Sequence, residues 1–462
     1  MRKRCIEYLV CLAAIGAWAS CGAGQTSPFS PPVSRQLTVP YQGRSPLNTP
    51  STQLRMTGVS SLATTPIQHV VIIFQENRTP DYLFQGVPRA DISRFAIDRN
   101  DQKVPLLPVS LAAGYDLGHS RHDFARDYDR GTLDGFDHGL SRAHRLFAFG
   151  YAPRSEVKPY VDMATQYVFA DRMFQSNQGP SLPAHLYIVT GTAAASENYV
   201  VTDNPYDRDT RHGTVGGCDA PKDTLMKTVD LHEGSPGPPV FPCFDHKALS
   251  DFLDAKRVSW RYYEYKRGPG VWQAFDAIKH VRYGRDYANV VSPSQRILRD
   301  IKKHRLADVS WVTPGPAWSD HAGKYDTTKG PAWVAAIVNA IGESSYWNST
   351  AIFITWDDWG GWYDHVKPPI FNYGELGFRV PLVIVSPYAR RGYVSKVQHE
   401  FGSILAFTEE TYGIPKGSLE ATDVRADDLM DAFDFHQQPR KFIDIPAPPF
   451  DPGPNTDVPD AD

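Results

Sequence analysis

The sequence predicts an α/β domain on a largely parallel central sheet with helices on both faces. Three observations carry this reading. Strand-like runs recur along the chain ("HVVIIF", "YVFADRMF", "VSWRYYEY", "DVSWVTP", "TAIFITW", "VPLVIVSP"), and several are apolar at every position, as strands covered on both faces must be. Helical patterns lie between them, which is the order of βαβ units. The length of 462 residues with 41% apolar content supplies a large core.

The N-terminus stands apart from that domain. Arg2, Lys3 and Arg4 precede "YLVCLAAIGAWAS", too short to span a bilayer comfortably and laid out like a bacterial export signal over residues 1–21. Cys21 is either a lipid-attachment cysteine, which would tie the protein to a membrane, or lies near an ordinary cleavage site. Residues 22–65, rich in Ser, Thr, Pro and Gln, read as a tether or surface arm. The chain is therefore expected to be exported: periplasmic, secreted or lipid-anchored. Of five cysteines, Cys218 and Cys243 remain for certain after signal removal, and in an oxidising compartment they are expected as a disulfide.

Residues 66–450 read as one domain, with no internal repeat and no linker, and 451–462 as a tail. Within it, "GPAWVAAIVNAIGES" starts with Pro at a helix start and places Trp333, Ile337 and Ile341 on one face. The 48 basic and 52 acidic residues give a formal charge of −4, so no cationic excess points to nucleic acid.

In an open α/β sheet, ligands sit beyond the carboxyl ends of the strands. Glu76 and Asn77 follow "HVVIIFQ", and Asp357 and Asp358 follow "TAIFITW", so two strands each deliver a hard-oxygen pair to one edge. Adjacent carboxylates repel, and a divalent cation is their natural compensator. Each motif also has a plainer reading: Glu76 as a helix cap before "TPDYLF", and the aspartates as a solvated turn before Gly360 and Gly361. In "FQSNQGPSLPAHLYIVTGTA", a Gly-Pro turn sets Ser181 at a helix start, where N–H groups and the helix dipole favour an alkoxide or phosphoryl oxygen. Its plainer reading is an N-cap. His119 and His122, His321, and His365 sit in polar loop contexts near these strand ends.

Six ordered segments, "VVIIFQENRTPDYLF", "DLGHSRHDFARDYDRGTLDGF", "FADRMFQSNQGPSLPAH", "PCFDH…VSWRYY", "VSWVTPGPAWSDH" and "TAIFITWDDWGGWYDHVKPP", resemble the bacterial phosphoesterase family of secreted acid phosphatases and phospholipases C, over about residues 66–415. The resemblance implies an alkaline-phosphatase-like core and a metal-assisted phosphoester hydrolase acting on a small-molecule phosphoester or a phospholipid. Carried over by motif, Glu76, Asn77, Asp357 and Asp358 would hold a divalent metal ion, with Ser181 as nucleophile and a further metal contact. His119, His321 and His365 would bind phosphoryl oxygens or handle the leaving-group proton. A further histidine from the central region is implied, with His246 and His280 lying in that part of the chain. Ser181 stands where phospholipase-type members usually carry Thr, and Ala125 where they often carry a second His. With the sequence ending soon after residue 450, the C-terminal β domains of the larger phospholipases are not expected, and the expectation leans away from a cytolytic role. A sulfatase or phosphonate hydrolase is the nearer rival, although "SLPAH" lacks the Arg of a sulfatase motif. A non-catalytic binding protein with a structural metal is the rival of a different class.

Overall fold

The computed structural model describes residues 65–323 and 327–451. The expected export signal with Cys21, the arm before residue 65 and the tail beyond residue 451 lie outside the described residues.

Eight strands form one sheet: β1 (His69–Gln75), β2 (Val168–Ala170), β3 (Trp260–Tyr263), β4 (Val290–Val291), β5 (Val309–Val312), β6 (Thr350–Trp356), β7 (Leu382–Val385) and β8 (Tyr393–Ser395). Their order across the sheet is β4-β3-β5-β1-β6-β7-β2-β8. Strand β7 alone runs against the others, pairing antiparallel with both β6 and β2. The run "YVFADRMF" divides: its first half is β2, and Met173–Phe174 pairs instead with His399–Glu400.

The all-apolar runs are buried for the reason anticipated, since helices cover both faces. Helices α1 (Arg154–Gln166) and α3 (Gly330–Gly342) pack together, and Tyr160 of α1 meets Trp356 of β6 edge-on at 5.0 Å. Helices α2 (Ser181–Thr190) and α4 (Phe401–Thr411) pack on the other side, where Phe74 of β1 meets Phe401 at 5.1 Å. Phe74 pairs in register with Thr355, the neighbour of Trp356, and neighbours on a strand face opposite ways. Trp333, Ile337 and Ile341 are all fully buried, as their spacing predicts. Every residue of α2 is buried, so it is a core helix, and Gly191 at φ 69° closes it. Among the described residues, no helix is long and apolar enough to cross a membrane.

Candidate active site

Register brings the two oxygen pairs together. Gln75 pairs with Trp356, so Glu76 and Asp357 leave the sheet side by side. The Asp357 amide donates to Gln75 O at 3.0 Å, and the Asn77 amide donates to Asp357 Oδ1 at 2.8 Å. Asn77 adopts φ 57°, a left-handed conformation that Asn tolerates better than most residues. Gly360 lies against it at φ 63°, where a Cβ would stand 2.5 Å from Asn77 O. Glu76, Asn77, Asp357 and Asp358 are all fully buried. Both plainer readings therefore fail: the aspartates are no solvated turn, and Thr79, not Glu76, caps the short helix Pro80–Leu83, its hydroxyl accepting from Tyr82 N at 3.2 Å.

Helix α2 supplies two more groups from one face. Ser181 donates from Oγ to Glu76 Oε2 at 3.4 Å, and His185, one turn on, bonds Glu76 Oε1 through Nε2 at 2.9 Å. The cap position belongs to Pro180, and Ser181 is the first helical residue, so the N-cap reading of Ser181 is corrected. Asn204 Oδ1 takes the Leu182 amide at 2.8 Å and Pro183 has no N–H, so fewer donors face outward than expected. His185 was not among the expected site residues. Its signal lies in "SLPAH", where it follows Ser181 at helical spacing.

Three fully buried carboxylates, Glu76, Asp357 and Asp358, share this pocket. Burial, then the Asp357 and Asp358 carboxylates, push the Glu76 carboxyl well above its ordinary range. Burial and then Asp357 do the same to Asp358. Burial pulls His185 down to about 4, so a neutral imidazole donates Nε2–H to Glu76. Asn77 Oδ1, Asp357 Oδ2 and Asp358 Oδ2 are buried without a hydrogen-bond partner among the described residues. Three such oxygens around a carboxylate and a hydroxyl fit a hard divalent cation, which would take the place of the missing donors.

A second group borders the first. His119 Nε2 lies 3.0 Å from the Asn77 side-chain amide, and its Nδ1–H donates to Leu117 O at 2.7 Å. Burial lowers the His119 pKa, but Asp358, Asp116 and the Leu117 carbonyl outweigh it and carry the ring up to about 9. The His321 ring stands 5.8 Å from that of His119, and Asp116 completes the cluster. A cleft of about 610 Å³ is lined by His119 and Pro180 and also by Tyr206, Arg211 and Lys227.

The sequence profile of the Phosphoesterase family matches residues 67–415. This chain belongs to the Phosphoesterase family. It is 24% identical over 440 residues to the hemolytic phospholipase C of Pseudomonas aeruginosa, covering 80% of this chain and 56% of that protein. It is 22% identical over 443 residues to phospholipase C A of Mycobacterium tuberculosis, covering 81% and 78%. The chain thus spans little more than half the length of the first of these relatives. Among solved structures, an alkaline phosphatase superfamily protein from Vibrio parahaemolyticus aligns at a TM-score of 0.36 and 10% identity, over 79% of this chain and 71% of that one. Nothing about the site is carried over from a likeness of that size.

Within this member of the Phosphoesterase family, the structure gathers Glu76, Asn77, Ser181, Asp357, Asp358, His119 and His321, and leaves other expected groups outside. His365 is the correction. Its Nδ1 and Nε2 are bound to Asp81 at 2.8 Å and Asp91 at 2.9 Å, in a separate cluster with Asp364. His246 bonds Ala194 O at 2.7 Å and stacks on Phe244, His280 bonds Asp251 at 2.9 Å, and His122 is exposed. Neither central-region histidine joins the site. The expected Cys218–Cys243 disulfide is present.

Proposed function

We propose that this chain is an exported, metal-dependent phosphoester hydrolase that turns over through a phosphoserine at Ser181. The observation that carries the reading is the Ser181 hydroxyl, at the start of a buried helix, facing Glu76 beside three buried oxygens without a partner among the described residues. Glu76, Asn77, Asp357, Asp358 and Ser181 Oγ would hold the cation. When bound, it supplies positive charge that draws in the phosphoryl oxygens and acidifies the serine hydroxyl.

The chain's own groups do the rest. His185 holds Glu76 in place through its Nε2–H. Ser181 Oγ, its proton lost to solvent water, attacks phosphorus in line; the bond to the leaving oxygen breaks as the Oγ–P bond forms. His119 gives the leaving oxygen its proton, and with His321 takes one from the water that later cleaves phosphoserine. Arg211 and Lys227 are the cationic side chains of the cleft lining, where the oxygens of an anion can pair. A small-molecule phosphoester or a phospholipid headgroup is the substrate class, in keeping with relatives named as phospholipases C. Export rests on the basic and apolar N-terminal stretch and fits the disulfide. Residues 66–450 are the catalytic domain in this reading.

Turnover of p-nitrophenyl phosphate, its phosphocholine ester, bis-p-nitrophenyl phosphate and p-nitrophenyl sulfate tests the proposal, before and after chelation. Hydrolysis of a phosphate ester that is lost on chelation and restored by a divalent metal supports it. Turnover of the sulfate alone, or of none of the four, contradicts it.

A further inference from the structure

Arg379 is a fully buried arginine just ahead of β7. Its guanidinium forks onto Asp364, Nε to Oδ1 at 2.8 Å and Nη2 to Oδ2 at 2.9 Å. Nη1 donates to the carbonyls of Asp171 and Asp91, each at 3.0 Å, and Nη2 reaches Asp81 Oδ1 at 3.5 Å. His365 locks the same cluster from outside, its ring and backbone N–H both on Asp81 and its far nitrogen on Asp91. Arg172 pairs with Asp91 at 2.6 Å, and Lys396 with Asp171. Four carboxylates thus meet four basic side chains.

The partners matter for where they sit in the chain. Asp81 lies on the segment that leaves β1 through Glu76 and Asn77. Asp364 lies on the segment that leaves β6 through Asp357 and Asp358. Asp171 follows β2 directly and begins the path to Ser181. Asp81, Asp364 and His365 offer ligand atoms close enough together for a metal, but the guanidinium is already paired with both carboxylates. A planar guanidinium presents its donors in fixed directions, so segments bound to its different edges are fixed relative to one another.

We propose that Arg379 is a positioning residue for the active site: by binding Asp364, Asp81 and Asp171 at once it sets the spacing of the three segments that carry the cation donors and the nucleophile. The inference rests on the reading of those residues as the site. Arg379 touches no reacting atom in this account. A packing role alone would place its effect on the whole sheet, whereas positioning places it on three segments and on the cation they hold.

The test is Arg379→Lys, which keeps the charge and loses the fork. Hydrogen exchange should quicken together in segments 76–81, 171–181 and 357–365, with β3 unchanged. Affinity for Mn²⁺, used as the probe, should fall by about 10–100-fold, the loss typical when a ligand's outer support is removed. For p-nitrophenyl phosphate, kcat should fall while KM stays close to wild type. If Arg379→Lys does not fold, Asp364→Asn decides, because it keeps the side chain's shape and removes one prong of the guanidinium fork; the same three segments should respond. Exchange that rises equally over the whole sheet, or wild-type Mn²⁺ affinity and kcat in the variant that folds, would overturn the proposal. A wild-type protein that binds no Mn²⁺ and turns nothing over would count against the site reading, while the exchange pattern would still decide the role of Arg379.

Discussion

Ser181 Oγ stands 3.4 Å from Glu76 Oε2, on a helix whose cap position is held by Pro180. A serine in that place closes no backbone donor, so its hydroxyl has no structural duty of the capping kind. Replacement of Ser181 by Ala should therefore cost less than the ~1 kcal/mol of a lost cap, measured by thermal or denaturant unfolding, while kcat falls by several orders of magnitude. Ser181→Thr keeps the hydroxyl and should retain measurable turnover if the pocket admits the methyl group.

His185 is expected to act through Glu76 alone. His185→Asn removes the 2.9 Å bond to Glu76 Oε1 and should weaken cation binding by about 10–100-fold, as loss of an outer-shell partner typically does. Metal titration checks this, and activity should recover in part at high metal concentration.

Chelation should make stability depend on pH in a defined direction. Without a cation, Glu76 and Asp358 have raised carboxyl pKa values, through burial first and neighbouring carboxylates second. Groups raised on folding contribute stability that is present below the ordinary carboxyl pKa and is lost as pH rises through the folded value. The chelated protein should thus melt at higher temperature near pH 5 than near pH 8, and added divalent metal should reverse the loss at pH 8. Equal melting temperatures at both pH values, with and without metal, would contradict it.

His365 titrates in the same sense through different partners. Burial works against its charge, but Asp81 and Asp364 carry the ring up to about 9. Its contribution to stability is fully present below about pH 6.5 and is lost as pH rises through about 9. The stability gap between wild type and His365→Gln should be about 1–2 kcal/mol at pH 6, reduced by solvent screening of a partly exposed ring, and should close toward pH 10. Unfolding curves at both pH values read it directly.

The Cys218–Cys243 bridge closes a segment 25 residues long in sequence separation. Replacing both cysteines by Ala should cost roughly 2–4 kcal/mol, since the unfolded chain regains the freedom of that loop. Protein recovered from the periplasm or medium should show no free thiol at these positions before reduction.

The sheet was legible because strands covered on both faces are apolar along their length, as residues 70–74 of β1 and 351–354 of β6 are. Direction was not legible: an apolar run reads the same either way, and β7 runs against its neighbours. The two oxygen pairs were found because a polar knot directly after a buried strand is costly without a partner. His185 escaped because it sits inside the apolar run "SLPAHLYIVT", where a histidine looks like core, and its partner Glu76 is 109 residues away. His365 misled for the opposite reason. It is close to Asp358 in sequence, but the chain turns at Gly360 and Gly361, both at positive φ, and Asp81 and Asp91 hold its ring in a separate cluster.

The central claim is that Ser181 carries the phosphoryl group. Mass spectrometry of enzyme quenched in acid during turnover of p-nitrophenyl phosphate tests it most directly. The account predicts phosphate on the peptide containing Ser181, absent from the Ser181→Ala protein. An unmodified peptide at every quench time, together with near wild-type turnover by Ser181→Ala, would contradict it.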